Sequence, residues 1–217
     1  MKLITILEFL LISILPFLLF LLILNFAGFD NSFYKEKFSE YQIQKNIPAA
    51  NSLHEKVMNF INGKNSELPN DFNDREKQHL WDVRGIVKIS TILLYMLIII
   101  FVFLLLVSAI TLKVNNVITN FTGKVLVFGG SLGIMLAAIL FFFINSNFSA
   151  AFDSFHKLFF PGGSYSFDPA KEIIVQLYPE QLFMDLGIRI STWAIIASLI
   201  VILLGALLLF KSKKNKY

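Results

Sequence analysis

The chain has 217 residues, of which 56% are apolar and 24 are Phe, and its formal net charge is +4. Its mean hydropathy of +0.68 excludes a soluble domain of ordinary composition and indicates a membrane protein. There is no cysteine, which excludes disulfides, a thiolate nucleophile and thiolate metal ligation.

Taken in chain order, the first element is an apolar run read as a span over about 3–26. It exceeds the 7–15 residue core of a cleavable signal and no A-x-A site follows, so it reads as a retained anchor, with Glu8 reaching the headgroups. Residues 27–88 then form a long polar loop. Within it FSEYQIQKNI alternates at Tyr41 and Ile43 as a short strand would. Ser52-x-x-Glu55 has the pattern of a capping box opening an amphipathic helix, with Leu53, Val57, Phe60 and Ile61 on one face and Gly63 as its stop. His54, at the edge of that face, reads as an ordinary surface residue. Asn73-x-x-Glu76 marks a second helix start. Its periodicity runs through Leu80, Val83 and Val87 into a span over 89–112, with Gly85 tolerated inside it. His79 would stand about 15 Å above Ile89 at 1.5 Å per residue. Asp82 falls at i+3 on the same face, where it could fix the imidazole tautomer.

A short link, 113–124, leads to a third span over 125–144, in which Gly129, Gly133 and Ala137 recur at four-residue intervals and allow close helix packing. A second long loop, 145–189, crowds Phe148, Phe152, Phe155, Phe159, Phe160, Tyr165 and Phe167 around His156. Pro161-Gly162-Gly163-Ser164 is a turn whose N–H groups could serve as oxyanion donors, or only close the turn. Pro179 suits a helix start leading to the fourth span, 190–210, and the basic tail 211–217 follows. The fold expected is an α-helical integral membrane protein. It has four transmembrane helices and an extracytoplasmic cap of mixed helix and short strand formed by the two long loops.

Charge orients these elements. Lys2, Lys113, Lys124, Lys211, Lys213, Lys214 and Lys216, with Glu8, place +6 beside one set of span ends, against −2 in the two long loops. This is the positive-inside asymmetry. It predicts cytoplasmic termini, link and tail, with both long loops outside, and it removes the case for a nucleic-acid partner.

Three readings of the chemistry are open from the residues alone. Histidines at an apolar boundary suit general acid–base work on an acyl substrate. The aromatic pocket would equally suit a noncatalytic lipid- or lipoprotein-binding module. His79, Asp82, His156 and Asp168 could form the site of a metal-dependent membrane hydrolase, although their spacing is not a metal signature. No G-x-S-x-G, H-E-x-x-H or G-x-x-x-x-G-K motif is present.

Two blocks narrow the choice. QHLWDVR before the second span, and FHKLFFPGGSYSFDP followed by LYPEQLFMDLG before the fourth, resemble the signature blocks of the bacterial lipoprotein intramolecular transacylase (Lit) family, and the length and four-span layout agree. The resemblance implies an acyltransferase of the Gram-positive cell membrane acting on diacylglyceryl-modified lipoproteins. It would move the sn-2 acyl chain of the lipidated cysteine to its α-amino group and yield the lyso-form, with no cofactor and no metal. His79 and His156 match the two catalytic histidines. Asp82, Arg84 and Asp168 are expected to support them, with Phe155, Phe159, Phe160 and Tyr165 lining the substrate pocket.

Overall fold

The computed structural model describes residues 2–160, 163 and 165–214. Every regular element among the described residues is helical: α1 Lys2–Gly28, α2 Asn31–Glu40, α3 Ile43–Asn46, α4 Ala50–Ile61, α5 Asp74–Leu112, α6 Asn115–Ser146, α7 Phe148–Phe159, α8 Ile173–Leu177 and α9 Glu180–Lys214. Of these, α1, α5, α6 and α9 are long and apolar enough to cross a bilayer, whose ~30 Å core needs about 20 residues of helix. The chain divides into two compact units. One comprises Met1–Asn25, Ile92–Phe142 and Arg189–Tyr217, and the other Phe26–Thr91 and Phe143–Ile188.

The first unit is apolar outward as well as inward. Ile99, Phe103, Leu203 and Phe210 are all more than 60% exposed, the surface expected of helices whose solvent is lipid. Polar side chains here return their hydrogen bonds to the helix backbone: Ser108 Oγ donates to the Leu104 carbonyl at 2.7 Å and Thr111 Oγ1 to that of Val107 at 2.7 Å. Without water no other economical partner is at hand. The small-residue ladder serves packing inside this unit. A Cβ at Gly129 would lie 2.8 Å from Leu15 of α1, and one at Gly133 would lie 2.6 Å from the Ser198 hydroxyl of α9. At Gly205 it would meet the Gly123 carbonyl at 2.8 Å and the Val127 nitrogen at 2.9 Å, so α6 and α9 touch backbone to backbone.

The second unit is built on a buried cluster that includes Phe33, Tyr34 and Phe38 of α2, Leu53, Val57 and Phe60 of α4, Leu80 of α5, Leu177 of α8 and Leu182 of α9. The short strand expected in FSEYQIQKNI is absent. The Asp30 side chain caps α2 by accepting from Ser32 N at 3.0 Å, and the helix then turns a stripe of Phe33, Tyr34 and Phe38 toward the core. Gln42, with φ +55°, leads the chain into α3. The helix expected after it is real, and Leu53, Val57, Phe60 and Ile61 are buried as its face. It nevertheless begins at Ala50 without a side-chain cap, so the Ser52/Glu55 box does not open it. Gly63, with φ +75°, stops it. By contrast the Asn73/Glu76 box is complete: Asn73 Oδ1 accepts from Glu76 N at 3.0 Å, and Glu76 Oε2 accepts from Asn73 N at 2.7 Å. From there α5 runs unbroken through Gly85.

His54 overturns its surface assignment. It is 2% exposed, its ring lies 4.2 Å from that of Tyr34 and 5.4 Å from that of Phe38, and Nδ1 shares a 3.0 Å hydrogen bond with the Tyr178 hydroxyl. The buried face of α4 passes through Ala50, His54 and Val57, so the ring occupies a core position on the helix. Burial pushes its pKa down to about 4, and the Lys35 charge acts in the same direction.

The close contacts lead to opposite expectations for two glycines. Gly205→Ala should destabilise the protein by about 1–3 kcal/mol because backbone on α6 must move. Gly85→Ala, with nothing within 4 Å of the added carbon, should stabilise α5 by up to about 1 kcal/mol. Thermal denaturation in detergent measures both. His54 makes stability depend on pH. Its neutral folded form resists protonation while the unfolded chain takes up a proton near the ordinary value of about 6.5, so the unfolded state binds more protons between about pH 6.5 and 4. Stability should therefore fall as pH drops through that window and recover as it rises. His54→Phe should weaken the dependence of the melting temperature on pH over that range without removing it, because burial pushes the His79 pKa down to about 4 as well.

Candidate active site

Two helices with separate local causes bring the site together within the second unit. The capping box above starts α5 and places His79 on its second turn. Asn147 caps α7, its Oδ1 accepting from Ala150 N at 3.1 Å, and α7 carries His156 to its last turn, where Phe160 N donates to the His156 carbonyl at 2.7 Å. Although far apart in sequence, the two imidazoles stack with centroids 6.1 Å apart and planes 23° apart. They are 7% and 8% exposed.

Aromatic rings enclose the pair. Phe160 lies 4.6 Å from His79 and 5.4 Å from His156, and Phe167 stands edge-on to His79 at 5.4 Å. Around His156 are Phe152 at 4.1 Å, Tyr165 at 5.0 Å and Phe155 at 5.5 Å. Phe159 packs on Phe155 at 4.7 Å, and both of these rings are about half exposed. The Tyr165 hydroxyl donates to Asp153 Oδ1 at 3.3 Å, while Lys157 pairs with the other oxygen at 2.6 Å and holds the Asp153 carboxyl below its usual range.

The two imidazoles differ in hydrogen bonding. His156 Nδ1 lies 2.7 Å from the Phe152 carbonyl oxygen. A carbonyl only accepts, so Nδ1 carries the proton and Nε2 of the neutral ring keeps its lone pair. His79 Nδ1 is buried without a hydrogen-bond partner. Because an orphaned N–H is rarer than an orphaned acceptor, the proton of the neutral His79 ring belongs on Nε2. Burial, reinforced by His156, pushes the His79 pKa down to about 4, with Asp82 opposing.

The remaining expected residues are dispersed. Asp82 Oδ1 accepts from Gln78 Nε2 at 3.1 Å and acts on His79 through its charge; it does not serve Nδ1. Arg84 lies over the rings of Phe60 and Trp81 at 4.7 and 5.1 Å and donates to the Asn65 carbonyl at 3.2 Å, which pins the loop after α4 to α5. Asp168 organises its own turn, accepting from Ala170 N at 3.0 Å and pairing with Lys171 at 3.3 Å. The Gly163 N–H, considered as an oxyanion donor, donates to the Phe160 carbonyl at 3.0 Å. Pro161, Gly162 and Ser164 lie outside the described residues. Among the described residues no group of three His, Cys, Asp or Glu side chains converges as metal ligands would. Sequence reasoning missed the Phe152 carbonyl, whose signal was its i−4 spacing from His156, and the charged residues Arg75 and Glu172, which gave none.

No curated protein matches the chain. Three solved structures resemble it in fold, all described as the membrane integral lipoprotein intramolecular transacylase Lit from Bacillus cereus. The first is 21% identical with a TM-score of 0.84, over 98% of this chain and 99% of that one. Two variants with one histidine changed to arginine or to alanine are each 20% identical with a TM-score of 0.81, over 99% and 98% of this chain and 95% and 96% of theirs. The model of the family described as lipoprotein intramolecular transacylase Lit matches residues 9–183, and the chain therefore belongs to that family of acyltransferases.

Proposed function

We propose that the chain moves the sn-2 acyl group of an S-diacylglyceryl cysteine, at the N-terminus of a lipoprotein, onto the cysteine α-amino nitrogen, and that His79 and His156 carry the reaction. The observation that supports this most directly is the stacked, buried imidazole pair walled by aromatic rings. In this reading Phe155 and Phe159, half exposed beside His156, meet the acyl chains, and Phe160 and Tyr165 close the wall.

The chemistry follows from the two tautomers. An α-amino group with pKa near 7.7–8.0 is mostly ammonium at neutral pH, so it sheds one proton to solvent before attack and a second as the amide forms. His156, with Nε2 free to accept, takes the second proton as the N–C bond forms. It returns that proton to the glycerol oxygen as the ester C–O bond breaks. His79, held neutral by burial, donates its Nε2–H to the developing oxyanion. Nucleophile and ester belong to one substrate, so orientation is the enzyme's main contribution, on the order of 7–11 kcal/mol.

The variants His79→Ala and His156→Ala should each abolish the lyso-form while the protein persists in the membrane. Mass spectrometry of a lipopeptide reads this: an acyl shift conserves intact mass and moves the acyl-bearing fragment, whereas hydrolysis loses an acyl group. Full activity in either variant would sink the pair. A lipopeptide bound without change of fragment mass by the native protein would favour a noncatalytic binding module.

The charge asymmetry supports cytoplasmic termini and an extracytoplasmic site. As the chain lacks cysteine, Lys171→Cys and Lys213→Cys report on single positions. On intact cells an impermeant thiol reagent should label the first and spare the second. Labelling of the second alone would reverse the orientation.

A further inference from the structure

Arg75 lies on the first turn of α5, and although its side chain is 61% exposed, three contacts on the segment after Tyr165 converge on it. Its Nη2 donates to the Ser166 carbonyl at 2.6 Å, its Nη1 to Glu172 Oε1 at 3.3 Å, and its guanidinium carbon stands 5.5 Å from the centre of the Phe167 ring. Glu172, 6% exposed, also accepts from Asp168 N. One side chain thus grips the residue before Phe167, the Phe167 ring, and the carboxylate that closes the turn after it. Phe167 in turn forms the edge-on wall of His79.

We propose that Arg75 is a positioning residue of this site: it holds Phe167 against His79 and so keeps water from that imidazole. The proposal rests on the reading of His79 as a neutral member of the reacting pair. The physical case lies in what a guanidinium can do at once. Its planar fork donates to two acceptors at fixed angles while its face stacks on a ring, whereas an ammonium offers a single point of charge. The segment 165–172 has no helix of its own before α8, so Phe167 is held by such side-chain ties together with its packing on the buried cluster. An exposed ion pair adds little global stability, so the consequence of losing Arg75 should be local. The titratable and charged groups on the elements around His79 include Asp74, Arg75, Glu76, Lys77, Asp82 and Arg84 on α5, Asp153, His156 and Lys157 on α7, and Tyr165, Asp168, Lys171 and Glu172 before α8. Removing Arg75 both admits water and leaves Glu172 without its cation, and the two effects act in one direction, raising the His79 pKa from about 4 toward the ordinary value.

The test uses the full chain in detergent with isotope-labelled histidine, following the three imidazoles by NMR as pH is varied. In Arg75→Met the His79 midpoint should rise by about one unit or more as burial relaxes, with His54 unmoved as the internal control. Phe167→Leu should reproduce the rise and Arg75→Lys should give part of it. An unchanged His79 midpoint in Arg75→Met, a joint rise of His54 and His79, or a Phe167→Leu variant without effect would each overturn the proposal. Since the readout needs no turnover, an inactive protein with the expected midpoints would count against the transacylase reading alone.

Discussion

The site depends on one buried carboxylate. Glu76 is 1% exposed, and its two oxygens accept from the backbone nitrogens of Asn73 and Ile174, each at 2.7 Å. A carboxylate in such a place is tolerable only when its acceptors are filled. Here the bonds also do two structural jobs, since one closes the first turn of α5 and the other crosses to α8. The start of the helix that carries His79 is thereby tied to α8, the helix that follows the Phe167 segment. No apolar side chain of that size could replace it, because two N–H groups would lose their acceptor.

The second constraint is the distance between the imidazoles. Two imidazolium ions about 6 Å apart would repel by roughly 3 kcal/mol at an effective dielectric constant near 20, and the aromatic enclosure raises that figure. The pair therefore holds one proton far more readily than two. The bond from His156 Nδ1 to the Phe152 carbonyl fixes the tautomer in which Nε2 is left to accept. His79 has no such partner at Nδ1, so it is better kept neutral. The asymmetry of roles in the proposed reaction thus comes from a backbone carbonyl four residues away, and a search for acidic partners in the sequence could not find it.

What the sequence disclosed and what it hid differ in range. Features whose cause is local were legible: the Asn73/Glu76 box, the apolar face of α4, the stop at Gly63, and the close approaches at Gly129 and Gly133. The two histidines stood out from the residues alone as lone imidazoles at an apolar boundary, and the likeness of their flanking blocks to a family implied their shared role. Failures occurred where a distant contact decided the outcome. Tyr41 and Ile43 alternate as in a strand, but Phe33, Tyr34 and Phe38 commit the chain to helix, and the Tyr41 hydroxyl donates to Asp185 of α9. His54 looked polar in a polar loop, yet Tyr178, 124 positions away, supplies the bond that lets it be buried. Asp82 and Asp168 sat at suggestive spacings and were drawn off by nearer partners, Gln78 and Lys171.

A site with two imidazoles and a wall of rings, and among the described residues no convergent set of carboxylates, would be a sparse catalytic apparatus, and the proposed reaction explains why sparseness would suffice. In an intermolecular acyl transfer the enzyme must bind a donor and an acceptor and hold them together. When nitrogen and ester share one cysteine residue, the covalent link already supplies that proximity. What remains is to deprotonate the amine, to meet the oxyanion with a donor, and to keep water from competing for the acyl carbon. In the proposed reaction, acceptor His156 and neutral His79 would answer the first two needs. The third would fall to Phe160, Phe167 and Tyr165, so that the aromatic wall would serve the chemistry as much as the packing.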